Sequence, residues 1–237
     1  MTDVLSIDGH VASIRLPGGL LEAATARELS TTAEGLIEDR NIRVVVVTSG
    51  EDFCAGAAPD LDCGAADPVA ALSRLRVPVV AAISGRCVSV GLELALAADI
   101  RLASVDAEFS SNDVIEGRLP MWGGTQRLPR AVGHARATWL LMTGGSLDAA
   151  TAAEWGIVHE ANVDLDAAVA TTVNQLLAAG PLALELAKEA VHRGSEVGLR
   201  DGLRLEGDLN HQLAATADRA EGLAAFFAKR PPDFAGR

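Results

Sequence analysis

The stretch IRVVVVTSG, residues 42–50, sets the strongest limit on the fold. Four consecutive valines leave no position for water, so a strand here must be covered on both faces. A second such run, VPVVAAISG at 77–85, and a third strand, DIRLAS at 99–104, follow it. Ahead of the first strand, LLEAATARELSTTAEGLIEDR spaces Leu and Ala as a helix does. Strands alternating with helices predict parallel pairing with helical crossovers, an α/β fold. From about Gly133 the pattern turns helical: residues 133–144, 148–156 and 166–180 read as helices, with IVHE at 157–160 a short strand between them. The tail, from LELAKEAVHRGS through LAAFFAKR, reads as one long helical stretch closed by Pro231 and Pro232. The expected organisation is a strand-rich core over 1–190 and a helical region over 191–237.

Charge narrows the partners. The net charge is −12, and Lys188 and Lys229 are the two lysines. Neutralising nucleic-acid phosphates needs clustered cations, so no nucleic-acid partner is expected. With aromatic residues at 3%, stacking platforms for single strands are missing too. A local basic patch still permits a polyanionic small ligand. Cys54, Cys63 and Cys87 form neither a CxxC pair nor a disulfide framework, which points to reduced thiols in the cytoplasm and no metal site. The chain has no basic-then-apolar leader and no membrane-spanning run, so a cytoplasmic protein without a membrane partner is expected.

One carboxylate breaks an apolar segment. In CVSVGLELALAAD, residues 87–99, Glu93 alone is charged between Val90 and Ala98. A helix starting near Val90 has first-turn amides with no intrahelical partner, at the positive end of its dipole. Such an amide suits a developing oxyanion. Gly91 allows close backbone approach. Glu93 lies one turn on, where apolar burial raises a carboxyl pKa towards neutrality. The plainer alternative is a glutamate at the helix edge, exposed or paired with an arginine such as Arg101. A second stretch, EDFCAGAAPD at 51–60, carries five small residues, Cys54 to Ala58, whose backbone is open to a ligand; the alternative is a surface loop. A third, FSSNDVIEGRLPMWGGTQRLPRAVG at 109–133, supplies acids to partner Glu93: Asp113 and Glu116, with Asp106 just before it. The alternative there is helix caps or solvated acids.

In family order, FCAGA, ISG…GLELALAADIRLAS, GRLPMWGGTQRLPRAVG, GSLDAATAAEWGIVHE and EGLAAFFAKRPPDFAGR resemble the crotonase superfamily, the enoyl-CoA hydratase/isomerase family. The resemblance implies a right-handed spiral of ββα turns with a C-terminal helical region used in trimerisation and as a lid over the CoA site. It implies an acyl-CoA thioester substrate, no further cofactor, and a homotrimer or hexamer. It puts the oxyanion-hole amides at Ala57 and Val90 and the acid pair at Glu93 and Asp113. Ala55, Gly56, Ala58, Gly91, Pro120, Trp122 and Lys229 become substrate-binding candidates, with Trp122 at the acyl pocket and Lys229 at a CoA phosphate of its own or a neighbouring subunit; the plainer alternatives are a core tryptophan and a solvated lysine. Several positions depart from the family pattern. Asp113 stands where hydratases carry the longer Glu, Asn112 where they commonly carry Pro, and Asp60 where many carry a Lys. The N-terminal LPGGLLEAAT lacks the usual Asn-rich turn.

The expected activity is hydration of an enoyl-CoA; double-bond isomerisation, which needs one carboxylate, is the alternative within the family. Two readings lie outside it. One is a non-catalytic acyl-CoA-binding protein. The other is a hydrolase with Ser89 in CVSVG as nucleophile and Asp148 and His159 completing a triad.

Overall fold

The computed structural model describes residues 4–62, 64 and 66–237. After β1 (Leu5–Asp8), the chain climbs in four turns, each laying one strand in each of two sheets and then a helix. The first turn is β2 (Val11–Arg15), β3 (Gly18–Leu21) and α1 (Ala23–Ile37). The second is β4 (Val44–Thr48), β5 (Cys54–Ala57) and α2 (Pro68–Ser73). The third is β6 (Val79–Ile83), β7 (Arg86–Val88) and α3 (Val90–Ala97). The fourth is β8 (Ile100–Ser104), β9 (Glu108–Ser110), α4 (Gly124–Val132) and α5 (His134–Thr143). Then come β10 (Ser146–Asp148), α6 (Ala149–Trp155), β11 (Glu160–Asn162) and four helices: α7 (Leu165–Ala178), α8 (Pro181–Gly194), α9 (Leu199–Ala214) and α10 (Ala217–Ala228).

One sheet has the order β1-β2-β4-β6-β8-β11 and the other β10-β9-β7-β5-β3. All pairings are parallel except β1 with β2 and β9 with β10. This is the succession of ββα turns that the family resemblance implies. The valine run shows why it is continuous. Val45 and Val47 enter the main core between the sheets and helices, while Val44 and Val46 pack with Val80 and Leu102 against Val173 of α7.

Three local expectations need correction. The small-residue segment at 54–57 is a buried strand, β5, rather than a loop. IVHE is not itself a strand: Ile157 and Val158 are core residues, and β11 starts at Glu160. The C-terminal stretch is three helices rather than one. Breaks fall at 195–198 and 215–216, where Gly198 and Thr216 cap the next helix, the Thr216 hydroxyl accepting from Arg219 N at 3.2 Å. Residue 190 lies inside α8, which runs unbroken to Gly194. That helix is tied to the core: Lys188 Nζ lies 2.7 Å from Asp99 Oδ2 and donates to Val77 O at 2.9 Å.

Candidate active site

The site begins at the junction of β5, β7 and α3. β7 pairs with β5 at one position, Cys54 with Cys87, and the chain then turns into α3. Beyond Cys54, β5 therefore loses its strand neighbour on that side. Ala58 N donates to Leu21 O at 2.9 Å, on the β3 side. Amides alternate along a strand, so the Ala57 N–H points the other way, towards the gap that α3 has entered. Val90 is the first residue of α3, and its N–H is an unpartnered helix-start donor by position. The approach is close: a Cβ on Gly91 would sit 2.7 Å from Cys54 O and 2.8 Å from Cys54 Cβ. Only glycine fits there. Ser89 makes the turn with φ 49°, a left-handed value that is costly for a side chain. Two anchors hold it: Ser89 N donates to Ser110 O at 3.0 Å, and Ser89 Oγ accepts from Asn112 N at 3.1 Å. The turn at Ser89 and the segment bearing Asp113 are thus bonded to each other.

Both acids are buried, Glu93 at 2% exposure and Asp113 at 1%. Among the described residues no cation pairs with Glu93: the Arg101 guanidinium is spent on Ile157 O and on Ala98 O, the latter at 2.7 Å. Glu93 Oε1 accepts from Trp122 N at 2.8 Å and Gly124 N at 2.6 Å, while Oε2 has no partner. A Cβ on Gly124 would sit 3.1 Å from Glu93 Oε1, so the loop closes on the carboxylate because this residue has none. Asp113 is held in the same fashion. Its Oδ2 accepts from Ser111 Oγ at 3.0 Å, and Oδ1 has no partner. Each acid therefore has one oxygen anchored and one left for chemistry. Burial pushes the Glu93 carboxyl up from its ordinary value. The Gly124 and Trp122 amides pull it back, and the neighbouring Asp113 charge raises it again.

Comparison with known proteins fixes the lineage. A family model described as enoyl-CoA hydratase/isomerase matches residues 19–237. A probable enoyl-CoA hydratase of Mycobacterium bovis is 38% identical over 92% of this chain and 90% of its own length. A 2,3-dehydroadipyl-CoA hydratase of Escherichia coli is 35% identical over 92% and 90%. The crystal structure of an enoyl-CoA hydratase from Bacillus anthracis superposes with a TM-score of 0.90 at 34% identity, covering 99% of this chain and all of that one. The chain belongs to the enoyl-CoA hydratase/isomerase family. It is an enzyme of that family, built on the crotonase fold.

Within this crotonase framework the other sequence candidates divide. Ala55, Gly56 and Ala58 lie on β5 and just past its end, and Gly91 of α3 packs against Cys54 at the start of that strand. Pro120 and Trp122 lie in the loop that carries the Glu93 cradle, and the buried indole borders a cavity of about 530 Å³ with Leu96 and Arg127. Lys229 is exposed at the end of α10 and contacts none of these residues. Among the rival acids, Glu116 is exposed and paired with Arg118, and Asp106 is exposed. Asp60, at the family's lysine position, accepts from Ala23 N at 3.3 Å at the start of α1. The Ser89 triad does not assemble. Asp148 caps α6, and His159 Nδ1 accepts from Arg101 N at 3.1 Å. The two described cysteines, Cys54 and Cys87, are buried and free. Burial pushes the Cys54 thiol up to about 11 and that of Cys87 well above its usual value. Cys63 lies outside the described residues. Among the described residues no group of three His, Cys, Asp or Glu side chains is placed for a metal ion, and no single helix is long and apolar enough to cross a membrane.

Sequence reasoning missed three participants: the Trp122 and Gly124 amides and the Ser111 hydroxyl. The GG in MWGG is a visible sign of close approach; Ser111 carries no comparable signal.

Proposed function

We propose that this enzyme adds water across the 2,3 double bond of an enoyl-CoA thioester. The Ala57 and Val90 amides receive the thioester oxygen as negative charge builds on it, and removing one donor of this kind costs about 2.7–4 kcal/mol of transition-state stabilisation. Glu93 Oε2 and Asp113 Oδ1 hold the attacking water between them. The water oxygen bonds to the β-carbon, and its proton passes through the carboxylates to the α-carbon. CoA is part of the substrate, and the reading calls for no further cofactor. The similar hydratases support the acyl-CoA class, and the observation that carries the reading is the pair of buried acids, each with one anchored and one unpartnered oxygen. We assign the enzyme to the cytoplasm on its buried free thiols and to a homotrimer or hexamer on the apolar outer faces of its last helices.

Isomerisation is the second reading, favoured by one observation: the second acid is Asp, about one methylene or 1.5 Å shorter in reach than Glu. A panel of short, long, cyclic and aromatic enoyl-CoA thioesters, followed for both hydration and double-bond migration, decides between them. In a hydratase, Glu93→Gln and Asp113→Asn each abolish most turnover. If only one of them matters and the double bond migrates without gaining water, the enzyme is an isomerase.

A further inference from the structure

We propose that Ser111 is a positioning residue that makes the short acid Asp113 competent: its hydroxyl fixes Oδ2 and thereby presents Oδ1 alone to the proton being moved. The inference rests on the reading above only in that Asp113 handles a proton.

Three observations carry it. The backbone around Asp113 is already pinned, by Asn112 N on Ser89 Oγ at 3.1 Å and by Arg118 N on Asp113 O at 2.7 Å. The freedom that remains is in the side chain, whose terminal carboxylate torsion is broad and roughly two-fold. An unanchored carboxylate there samples torsions that aim neither oxygen at the substrate. Ser111, 3% exposed, is the one side chain among the described residues that bonds to it, at 3.0 Å on Oδ2. The second oxygen stays buried and unpartnered. Glu93 reaches the same end differently, with two backbone amides on Oε1. A glutamate has an extra torsion with which to find a productive pose. An aspartate has its reach set by the backbone, so the torsion of its carboxylate decides whether an oxygen faces the substrate at all. General acid–base transfer needs heavy-atom contacts of about 2.6–3.2 Å.

The test compares Ser111→Ala and Ser111→Thr in the wild-type and Asp113→Asn backgrounds. Two readouts are used: steady-state hydration of an enoyl-CoA, and exchange of the α-protons of a saturated acyl-CoA thioester in deuterated water, followed by NMR. Exchange requires only that a base remove the α-proton and return a deuteron while the enolate is held. Hydrogen bonds to charged groups are worth roughly ten- to a hundred-fold. Ser111→Ala should therefore lower kcat and the exchange rate about tenfold or more with KM changed less than twofold. Ser111→Thr, which keeps the hydroxyl, should recover most of the loss. In the Asp113→Asn background, Ser111→Ala should cost less than twofold. Should Ser111→Ala not fold, Ser111→Cys, a weaker donor of similar shape, carries the same prediction. A loss under twofold in the wild-type background, or an equal loss in both backgrounds, overturns the proposal. Wild-type enzyme that exchanges α-protons yet hydrates nothing defeats the hydratase reading and leaves the serine to be judged on exchange. Wild-type enzyme that does neither overturns both.

Discussion

Glu93 shows how one side chain reports on stability and chemistry together. Its carboxyl is pushed up by burial, pulled back by the Gly124 and Trp122 amides, and raised again by Asp113. An acid whose folded-state pKa lies above its unfolded value binds its proton more tightly in the native state. Its charge therefore opposes folding at pH above the folded pKa, and the penalty fades as pH falls through that value. Glu93→Gln keeps an oxygen for both amides and removes the charge. The variant's melting temperature relative to wild type should rise from pH 4.5 to pH 8, while kcat falls by about 10²–10⁴, the usual contribution of a general acid or base. Thermal unfolding of both proteins across that range checks this, and a pH-independent difference refutes the buried-charge account. Glu93 was legible because a lone carboxylate in an apolar run is an anomaly at any spacing. Ser111 was not: a bond between side chains two residues apart depends on rotamers and on a turn, and neither leaves a periodic trace.

At the scale of elements, the same contrast follows strand length. β4 was legible as a continuous β-branched run and β6 as an unbroken apolar one. β5, β7 and β9 have three or four residues each, and β5 is built from Cys, Ala and Gly, which have no strong strand preference. Tertiary pairing makes them strands, and the strand setting of the Ala57 amide was hidden with them. The C-terminal helices were legible as helices but not as separate ones, because their breaks use Ser-Glu-Val and Ala-Thr rather than proline. What holds the first of them is charge. Asp99 accepts from Val79 N at 2.7 Å and pairs with Lys188 Nζ at 2.7 Å and His192 Nε2 at 2.8 Å. Burial raises the Asp99 carboxyl, but His192 and Lys188 outweigh it and hold it below its ordinary value. A depressed acid stabilises the fold above its unfolded pKa, near 3.8, and that stability is lost as pH falls through the folded value. Asp99→Asn leaves Lys188 buried without its partner charge, so a loss of about 3 kcal/mol is expected at pH 7. Urea unfolding should show that deficit shrinking below about pH 4; a deficit as large at pH 3 as at pH 7 would mean the pair does not hold α8.

The whole molecule presents an imbalance that the single chain does not resolve. Phe226 and Phe227 of α10 are 76% and 79% exposed, Leu199 and Leu203 of α9 are 79% and 58%, and Val191 of α8 is 71%. Isolated exposed apolar residues are ordinary, and others lie elsewhere, such as Ile115, Met142 and Val163; the group on the last three helices is the surface we assign to the proposed assembly. Meanwhile Ala57, Val90, Glu93 and Asp113 all come from one chain, so the proposed reacting centre needs no second copy to complete it. The two facts together predict a separation of functions. Wild-type protein should sediment as three or six chains, and Phe226→Glu combined with Phe227→Glu should shift it towards the monomer. The monomer should keep kcat within about tenfold, since none of its four reacting groups has moved. If Lys229, two residues beyond Phe227, holds a CoA phosphate across the proposed subunit contact, KM for the acyl-CoA should rise as that contact is lost. Analytical ultracentrifugation with kinetics on the same samples checks both parts. A wild-type monomer removes the assembly argument. A variant that loses kcat while retaining KM would mean that the neighbouring chain shapes the acid pair itself, contrary to a centre built wholly within one spiral.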